Sequence, residues 1–594
     1  MLERRKLQTD LCVIGGGLAG MCAAIAAARE GLQVVLMQER PVLGGNTSSE
    51  IRMWICGARG FGNRETGIIE EILLENLRRN PTKNIYVWQM VLNEFVEREK
   101  NITLLLNCTC NDAEVETGEF EDGRTVRIKR VSGYQMTTQR FIDVEAKLYA
   151  DCSGDSILAP LTGAEFRIGR ESAEEFGEDT SVTVADKMTM GNSCLLQGRE
   201  TTGKIPFVTP PDAVQFEPEV IARRKPKMER NIENFWYLEL GGDRDTIADA
   251  EEIAADLVPL AKGMWNYVKN SGEYEADNWD LEFFGFLPGK RESRRMMGEY
   301  IITERDIAGD KVFPDTVAFG GWGLDDHYPA GFYYAGRPNK DVKTPAPYCI
   351  PYRALYSKNV ENLYFAGRNI SMTHMAMSSV RVMATCALLG EAVGTAASVA
   401  VRYGVTPHGV YKEHLDELQG ILMKNDCFLP HFERERAPIC MLTPVENGED
   451  SLKDGQDRPN HIYGTETCGC KVKNGVPVAY RFWNAVQVHS VHIVFDSDLE
   501  RETLPGDRCE QTHSIRCNIH LDSPMNFSLP ATLCRSFRLD VVTEEGRRTV
   551  AEVKENVRRA YDFVIDESVT AIELTVLDNY GDTDETGIFS FDFN

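Results

Sequence analysis

The first forty residues alternate between apolar runs and glycine-rich turns. Residues 11–14 are apolar, glycines follow, and residues 18–30 form an apolar segment rich in small side chains. Gly31 then stands where a left-handed helix C-cap is expected, and residues 32–37 are a second apolar run. Apolar runs without alternation are typical of parallel strands covered on both faces. The pattern predicts a βαβ unit over residues 10–38.

The rest of the chain shows other patterns. Residues 66–98 have the apolar spacing of amphipathic helices, and residues 101–150 alternate as strands of a meander that ends by returning to the sheet. Residues 361–402 repeat the opening style, with a strand, Gly367 and a long helix of small residues. Residues 430–594 show short apolar segments between polar turns, which predicts an antiparallel sandwich. The predicted strands include 479–483, 488–495, 514–521, 537–542, 560–565 and 571–577.

These patterns predict an α/β fold with a Rossmann-type domain, an inserted α+β substrate domain and a C-terminal all-β sandwich. A chain of 594 residues is too long for one core, because single cores stop growing near roughly 250–300 residues. We expect a discontinuous Rossmann-type domain at 1–165 and 345–405, an inserted domain at 166–344, a linker helix at 406–429 and a sandwich at 430–594.

Charge and hydropathy restrict the partners. The formal net charge is −26, whereas nucleic acids and anionic membranes bind basic surfaces, so neither is expected as a partner. The apolar stretches at 18–28 and 382–400 carry glycines and Glu391, which indicates buried helices rather than membrane spans. The N-terminus has no secretory signal pattern, and 16 scattered cysteines fit a reducing compartment. We expect a cytoplasmic enzyme, compatible with a homo-oligomer, that acts on a small molecule.

The sequence Gly15-x-Gly17-x-x-Gly20 follows the first predicted strand and opens the first predicted helix. In such loops one glycine makes the turn, one lets backbone N–H groups approach a pyrophosphate, and one lets helix and strand pack closely. The helix N-terminus then faces the phosphates. Glu39 ends the second strand about 20 residues on, where an acid accepts hydrogen bonds from ribose hydroxyls. The loop predicts a dinucleotide-binding site, but by itself it does not distinguish FAD from NAD(P).

A second glycine pair follows Glu39 in the segment Glu39-Arg-Pro-Val-Leu-Gly-Gly-Asn46. In flavoproteins of the glutathione-reductase type, such a pair lies along the flavin side of the cofactor. The chain here resembles the FAD-dependent oxidoreductases related to the flavin subunit of heterodisulfide reductase. The resemblance covers roughly residues 8–402 and rests on four stretches: 12–20, 39–46, 151–156, and 363–371 running on to Gly394.

The resemblance implies FAD and a glutathione-reductase-like fold. It implies that the four stretches are the first phosphate loop, the flavin-side loop, the second strand–turn motif and the segment that closes over the flavin. Ser378, Ser379 and Arg381 are expected to open a helix whose N-terminus stabilises the reduced flavin, although a plain core helix is the competing interpretation. The cofactor-binding residues so implied are Gly15, Gly17, Leu18, Ala19, Gly20, Glu39, Arg40, Gly44, Gly45, Asn46, Cys110, Gly154, Asp155, Gly367, Arg368, Ser379, Arg381 and Val382.

The chain departs from those relatives in its cysteines. Heterodisulfide reductase flavin subunits carry cysteine motifs for iron–sulfur clusters. The C-x-C pairs here, Cys108/Cys110 and Cys468/Cys470, belong to no such run, so no metal site is expected.

Three segments are candidates for the chemistry. His374, between the closing strand and its helix, is predicted to take a hydroxyl proton while hydride moves to flavin N5, unless it is a structural histidine. Arg294 and Arg295 belong to a cationic run predicted to hold an anionic or polyhydroxylated substrate, unless that run is a salt-bridged strand edge. His327 lies in a loop with Trp322 that resembles the substrate-side segment of the same family, and it is expected to assist His374.

The last part of the chain resembles a galactose-binding-like jelly roll through residues 491–498, 555–561 and 588–592. Such modules bind glycans or serve as structural caps.

The favoured function is FAD-dependent oxidation of a carbinol of a sugar, polyol or related molecule, with the electron acceptor left open. The alternatives are an electron-transfer subunit with iron–sulfur partners and a non-redox flavin-scaffolded binding protein.

Overall fold

A computed structural model describes residues 2–120, 123–228, 234–309, 311–345, 347–464, 467–501, 514–522 and 527–594. The chain divides into two units. The first comprises Met1–Ala58, Thr82–Leu415 and Thr512–Asn526, and the second comprises Arg59–Pro81, Asp416–Gln511 and Phe527–Asn594. Residues 59–81 were expected in the Rossmann-type domain but belong to the second unit. Residues 512–526 were expected in the C-terminal sandwich but belong to the first unit. The finer domain boundaries stay a prediction.

The strands and helices follow in chain order. The strands are β1 (Arg4–Ile14), β2 (Val34–Met37), β3 (Ile102–Leu105), β4 (Cys108–Thr117), β5 (Val126–Gln135), β6 (Arg140–Asp151), β7 (Phe166–Arg167), β8 (Asn192–Ser193), β9 (Leu196–Glu200), β10 (Glu239–Leu240), β11 (Trp279–Phe284), β12 (Gly289–Lys290), β13 (Arg295–Met296), β14 (Thr316–Gly320), β15 (Leu324–His327), β16 (Asn339–Val342), β17 (Tyr348–Pro351), β18 (Leu363–Phe365), β19 (Cys470–Lys473), β20 (Val478–Phe495), β21 (Cys534–Thr543), β22 (Gly546–Val553), β23 (Ala560–Asn579) and β24 (Glu585–Phe593). The helices are α1 (Leu18–Arg29), α2 (Ile68–Arg79), α3 (Ile85–Glu97), α4 (Leu158–Thr162), α5 (Ala173–Phe176), α6 (Pro218–Arg223), α7 (Ala250–Asn270), α8 (Glu304–Ala308), α9 (His374–Val380), α10 (Met383–Tyr403), α11 (Pro407–Glu413), α12 (Leu415–Lys424) and α13 (Pro438–Leu442).

A parallel sheet organises the first unit and confirms the predicted α/β class. Its parallel strands lie in the order β3–β2–β1–β6–β18. Strand β6 has two partners on one side, because residues 140–144 pair antiparallel with β5 whereas residues 149–151 pair parallel with β18. The last strand of the predicted meander and the predicted return to the sheet are thus one continuous strand, β6.

Between α4 and β18 the chain forms an insert of short antiparallel sheets and helices. Helix α7 buries one face, with Ile253, Leu257, Leu260 and Met264 spaced three or four residues apart. This face joins a core with aromatic side chains of the insert such as Trp279. The insert therefore has a hydrophobic core of its own.

Helix α10 packs lengthwise on α1 through small residues. A Cβ added at Gly390 would lie 1.9 Å from the carbonyl oxygen of Ala19, and one at Gly394 would lie 2.2 Å from that of Ala23. Among the described residues, α10 has the length and mean hydropathy, 1.5, of a membrane-spanning helix, but 94% of that window is buried. The prediction of a buried helix here is confirmed.

The region before α10 differs from the prediction. Residues 378 and 379 lie in the last turn of the short helix α9, and α10 begins only at Met383, after the extended residue Val382. The side chain of Thr373 accepts a hydrogen bond from the backbone N–H of Ala376, which starts α9 early. The prediction that Ser378, Ser379 and Arg381 open the long helix is therefore wrong.

The linker and the C-terminal strands also need correction. The linker expected as one helix is two helices, α11 and α12, interrupted at His414. The predicted strands 479–483 and 488–495 are parts of one long strand, β20, and the predicted strands 560–565 and 571–577 are parts of another, β23. The pairing of β20 with β23 shifts register between Arg481 and Val486. Such β-bulges bend long strands. The stretch 514–521, also predicted as a strand, forms only an isolated bridge at Ile519 to Arg199.

The described strands of the second unit form one antiparallel sheet in the order β19–β24–β20–β23–β21–β22, which confirms the all-β class. Its core contains aromatic residues from several strands, among them Tyr480, Phe495, Phe537 and Phe591. Within this core the ring centres of Tyr480 and Phe591 lie 5.2 Å apart, and those of Phe495 and Phe537 lie 5.0 Å apart.

Candidate active site

The loop after β1 has the geometry of a phosphate cradle. Gly15 has φ +102°, and a Cβ there would lie 2.4 Å from the carbonyl oxygen of Cys152. A Cβ at Gly20 would lie 1.8 Å from the carbonyl oxygen of Gly15, whereas one at Gly17 meets no described atom closer than 3.9 Å. The first and third glycines are therefore required by close backbone packing, and the second faces open space.

The second glycine pair closes the other side of this space. The N–H of Gly44 donates to the carbonyl of Gly16 at 2.8 Å, and a Cβ at Gly45 would lie 3.1 Å from the Cα of Gly17. Helix α1 starts at Leu18 without a side-chain cap or an acidic residue in its first turn. Its first N–H groups therefore lack a side-chain acceptor, which favours a bound diphosphate.

Gln38 supports the cradle, although no motif in the sequence points to it. Its side-chain oxygen accepts a hydrogen bond from the N–H of Gly16 at 2.7 Å, and its amide nitrogen donates to the carbonyl of Val42 at 3.1 Å. Glu39 lies two residues beyond the end of β2, with 57% of its side chain exposed and its carboxylate 3.6 Å from Arg40. Glu39 is thus accessible to ribose hydroxyls.

Cys110 is expected to bring strand backbone to the adenine, and this contact stays a prediction. It lies buried in β4, and burial raises the pKa of its thiol to about 12. The thiol is neutral at physiological pH and has no charge with which to contact an adenine.

Asp155 is held by three donors. Its carboxylate accepts hydrogen bonds from Lys290, Ser293 and Arg368, each at 2.8 Å. Burial alone would raise the pKa of Asp155, but the charges of Arg368 and Lys290 lower it to about 2. Asp155 therefore positions Arg368 beside Gly154, whose added Cβ would lie 2.6 Å from the Arg368 guanidinium.

The segment after β18 presents an unused acceptor. The side-chain oxygen of Asn369 is buried with no hydrogen-bond partner among the described residues, while its amide nitrogen donates to the carbonyl of Asp151 at 3.2 Å. This oxygen lies 3.2 Å from where a Cβ of Gly367 would stand, and Ala19 borders the same point at 3.6 Å. A buried orphan acceptor beside a glycine fits a hydroxylated cofactor chain. Together with the glycine cradle, it shows that these residues fit FAD.

His374 begins α9 and is buried between two carboxylates. Its Nδ1 lies 2.9 Å from Oε2 of Glu292, and its Nε2 lies 3.0 Å from Oδ1 of Asp326. Burial opposes a charge on the ring, but these carboxylates outweigh it and raise the pKa of His374 to about 10. The ring is therefore protonated at neutral pH, with both N–H groups donating.

His327 has a similar environment at the end of β15. Its Nδ1 lies 2.6 Å from Glu239 and its Nε2 lies 3.3 Å from Asp325. Burial opposes the charge, yet Glu239 and Asp325 raise the pKa of His327. The adjacent residues Asp325 and Asp326 thus bring the two predicted histidines into one charged network, without direct contact between the rings.

The predicted cationic run is largely salt-bridged. The Arg295 guanidinium is buried, donates to Glu171 at 2.7 Å and to the carbonyl of Met372 at 3.0 Å, and pairs with Glu292. Arg294 is only partly buried and donates to the backbone oxygen of Asp155 at 3.3 Å. Arg295 therefore positions the carboxylates around His374, and the substrate-binding role of both arginines stays a prediction.

Ser379 and Arg381, which are expected near the flavin ring, form hydrogen bonds with neighbouring residues. The hydroxyl of Ser379 contacts that of Tyr348 at 2.7 Å and donates to the carbonyl of Trp322 at 2.5 Å. Arg381 donates to the Asp325 side chain at 3.1 Å, and Val382 is the N-cap of α10. Their predicted contacts with the cofactor stay predictions.

The ionisation of His374 predicts a stability difference that depends on pH. Its pKa in the folded protein, about 10, lies above the ordinary 6.5, so its ion pairs stabilise the fold fully below pH 6.5 and progressively less as pH rises to 10. We expect the wild type to unfold at higher temperature than H374Q at pH 6, with the difference shrinking toward pH 10. Thermal unfolding of both proteins at several pH values measures this, and a constant difference would contradict it.

Partial similarities to known proteins are found along the chain. The glycerol-3-phosphate dehydrogenase of Mycobacterium leprae is 38% identical over 68 residues, which is 11% of this chain and 12% of that protein, so the match spans about an eighth of the relative's length. A geranylgeranyl bacteriochlorophyll reductase-like protein from Thermoplasma acidophilum is 10% identical, with 71% of this chain and 84% of that chain covered and a TM-score of 0.29. The family 32 carbohydrate-binding module from Streptococcus pneumoniae EndoD is 13% identical, with 26% and 97% covered and a TM-score of 0.18.

The family assignment rests on a longer match. The family described as FAD dependent oxidoreductase matches residues 10–422, which is well over half of the chain. That range contains the glycine cradle, the Asp155 cluster and both buried histidines. The chain belongs to the FAD dependent oxidoreductase family, and it is a flavoenzyme with FAD as its cofactor.

Proposed function

We propose that this enzyme oxidises a carbinol of a sugar, polyol or related hydroxylated small molecule. Bound FAD supplies the hydride acceptor, its N5 atom. One observation carries the proposal: residues 289–295 touch both the flavin-side loop and the buried histidine. Asn46 donates to the carbonyl of Lys290 at 3.0 Å, and two residues later Glu292 contacts His374. A proton-handling group beside the redox cofactor suits alcohol oxidation, because a carbinol loses a hydroxyl proton and a hydride together.

Asp326 is the group that we propose accepts the proton. His374 already carries hydrogen on both ring nitrogens, so it cannot accept another. The charge of His374 outweighs the effect of burial and lowers the pKa of Asp326, which is therefore ionised. Its side chain is 15% exposed, whereas that of Glu292 is fully buried. His374 orients the Asp326 carboxylate by its 3.0 Å hydrogen bond, and the proton returns from Asp326 when a carbonyl is reduced in the opposite direction.

Finer assignments belong to the same proposal. The relationship to the heterodisulfide reductase flavin subunit is supported by the motifs at 151–156 and 363–371. The galactose-binding-like assignment is supported by residues 491–498 and by the antiparallel sheet of the second unit. A cytoplasmic location is supported by the acidic composition and by the cysteines of the described residues, which are mostly buried and form no disulfide with one another.

The test is anaerobic mixing of the FAD-loaded enzyme with a panel of aldoses, polyols, sugar acids and sugar phosphates. The panel includes glycerol 3-phosphate, because the M. leprae relative is named for it. We expect at least one compound to bleach the visible absorption band of oxidised flavin. If dithionite reduces the flavin but no hydroxylated compound does, carbinol oxidation is excluded.

A further inference from the structure

A cavity in the first unit has a cationic lining that the proposed reaction does not use. Its volume is about 270 Å³, close to the lower end of the roughly 300–1,000 Å³ of small-molecule sites. Four cationic side chains line it, Arg52, Lys83, Arg199 and Arg516, against the two carboxylates of Glu200 and Glu282. Apolar side chains from α3 and from residues 519–521 complete the wall.

Arg52 is the central feature of this cavity. Its guanidinium donates to the side-chain oxygen of Gln197 at 2.8 Å, and more weakly to the carbonyl of Ser49 and the hydroxyl of Tyr86, both at 3.4 Å. It also lies 4.3 Å from the ring centre of Phe283. Among the described residues these hydrogen-bond partners are all neutral. Burial lowers the pKa of the Arg52 guanidinium, so its charge lacks both full hydration and a bonded counter-ion.

The carboxylates of the lining already have partners. Glu282 forms a two-pronged pair with Arg199 at 2.6 and 2.9 Å, so these charges cancel. Glu200 accepts from the N–H of Leu521 at 2.9 Å and from the amide of Asn278 at 3.2 Å. The four cationic side chains of the lining thus outnumber its two carboxylates, and Arg52 contributes one of these positive charges with only neutral hydrogen-bond partners.

Arg516 is held at the same end by Gln197. While the oxygen of Gln197 accepts from Arg52, its amide nitrogen donates to the carbonyls of Arg516 at 3.1 Å and Cys517 at 2.5 Å. Residues 514–522 then run beside β9, where Ile519 exchanges backbone hydrogen bonds of 2.9 and 2.8 Å with Gly198 and Glu200. Burial lowers the pKa of Arg516, and the neighbouring charge of Arg199 lowers it further.

The cavity borders the loop predicted to face the flavin. The N–H of Arg52 donates to the carbonyl of Ser48, and that of Met53 donates to the carbonyl of Asn46, both at 2.8 Å. Arg52 itself has φ +63°, a left-handed conformation that these bonds maintain. An occupant that orders Arg52 therefore also orders the residues after Gly45.

We propose that this cavity binds a small molecule through a carboxylate or phosphate group held by Arg52 and Arg516. An anion supplies the bonded counter-charge that Arg52 lacks, and a planar guanidinium suits two-pronged recognition of such groups. The apolar wall near Ile85 and Tyr86 receives the uncharged part of the ligand. The site is independent of the proton-handling pair at His374.

Titration calorimetry of the FAD-loaded protein tests the site with two probes, inorganic phosphate and malonate, against chloride at equal ionic strength. We expect saturable binding of at least one probe with one site per chain, and binding roughly ten- to a hundred-fold weaker in R52Q, since hydrogen bonds to charged groups contribute about 1.5–3 kcal/mol. The probe that binds more tightly distinguishes a phosphate from a carboxylate ligand. The matched control is R98Q, because Arg98 also stacks on an aromatic ring, 3.5 Å from the centre of Phe95, but does not line the cavity.

The proposal is overturned if neither probe binds, or if R52Q binds as the wild type does, or if R98Q loses binding equally. If R52Q proves unstable, R516Q provides the same comparison from residues outside the flavin-side loop. Binding at equilibrium needs no turnover. If no anion binds, the proposal of carbinol oxidation is unaffected. If no alcohol bleaches the flavin, the proposal of the anion site is unaffected.

Discussion

Replacing Gly390 with alanine is expected to release FAD and to destabilise the first unit by roughly 1–3 kcal/mol or more. The added methyl would lie 1.9 Å from the carbonyl oxygen of Ala19, a backbone atom that cannot turn aside as a side chain can. Helix α10 must then move away from α1, whose first turn forms one side of the phosphate cradle. Flavin absorbance after gel filtration and the unfolding temperature measure the two effects.

Gly420 provides the matched control. It lies inside α12, and a Cβ there meets no described atom within 4 Å. Because alanine restricts the unfolded chain more than glycine does, G420A is expected to keep FAD and to gain about 0.4–1 kcal/mol. A G390A protein that retains both FAD and the wild-type unfolding temperature would show that the close packing of α1 and α10 is dispensable.

The second large effect is expected at the proton-handling pair. We expect D326N to slow flavin reduction by an active substrate about 10²- to 10⁴-fold, the usual contribution of general acid–base catalysis, while FAD stays bound. H374Q is expected to lower the rate less and to change its pH profile, because His374 acts through Asp326. Anaerobic stopped-flow absorbance measures both rates.

Asp341 supplies the control for this pair. It stands opposite Asp325 in the strand register, on the neighbouring strand β16, but its side chain is exposed. D341N should reduce flavin at the wild-type rate. If D326N also reduces flavin at the wild-type rate, Asp326 does not accept the proton and another group must do so.

The sequence predicted the cofactor cradle better than the proton-handling site, for a physical reason. The functions of Gly15, Gly17 and Gly20 follow from local backbone geometry, which spacing along the chain reveals. The partners of His374 are 82 and 48 residues away, at Glu292 and Asp326, and only tertiary packing brings them together. For the cationic run the sequence left a substrate site and a salt-bridged strand edge open, and only tertiary packing identifies Glu171 and Glu292 as the partners of Arg295.

Strand lengths in the second unit show a different limit of prediction from sequence periodicity. Residues 484–487 separate the short strands predicted at 479–483 and 488–495. In the structure they continue β20 through a register shift. Bulges interrupt the alternation without ending the strand, so the periodicity alone gives the right class and the wrong number of strands.

Residues 514–522, which lie on the edge of β9, have a consequence for how the chain is synthesised. A ribosome releases the N-terminal residues first, and domains generally fold as units during translation. The first unit cannot complete its wall beside β9 until residue 522 has emerged, long after α10. A shortened chain that ends before residue 514 would leave this strand edge open to pairing with other chains, a known route to aggregation. The first unit is therefore not completed by residues 1–415 alone, because residues 514–522 also belong to it.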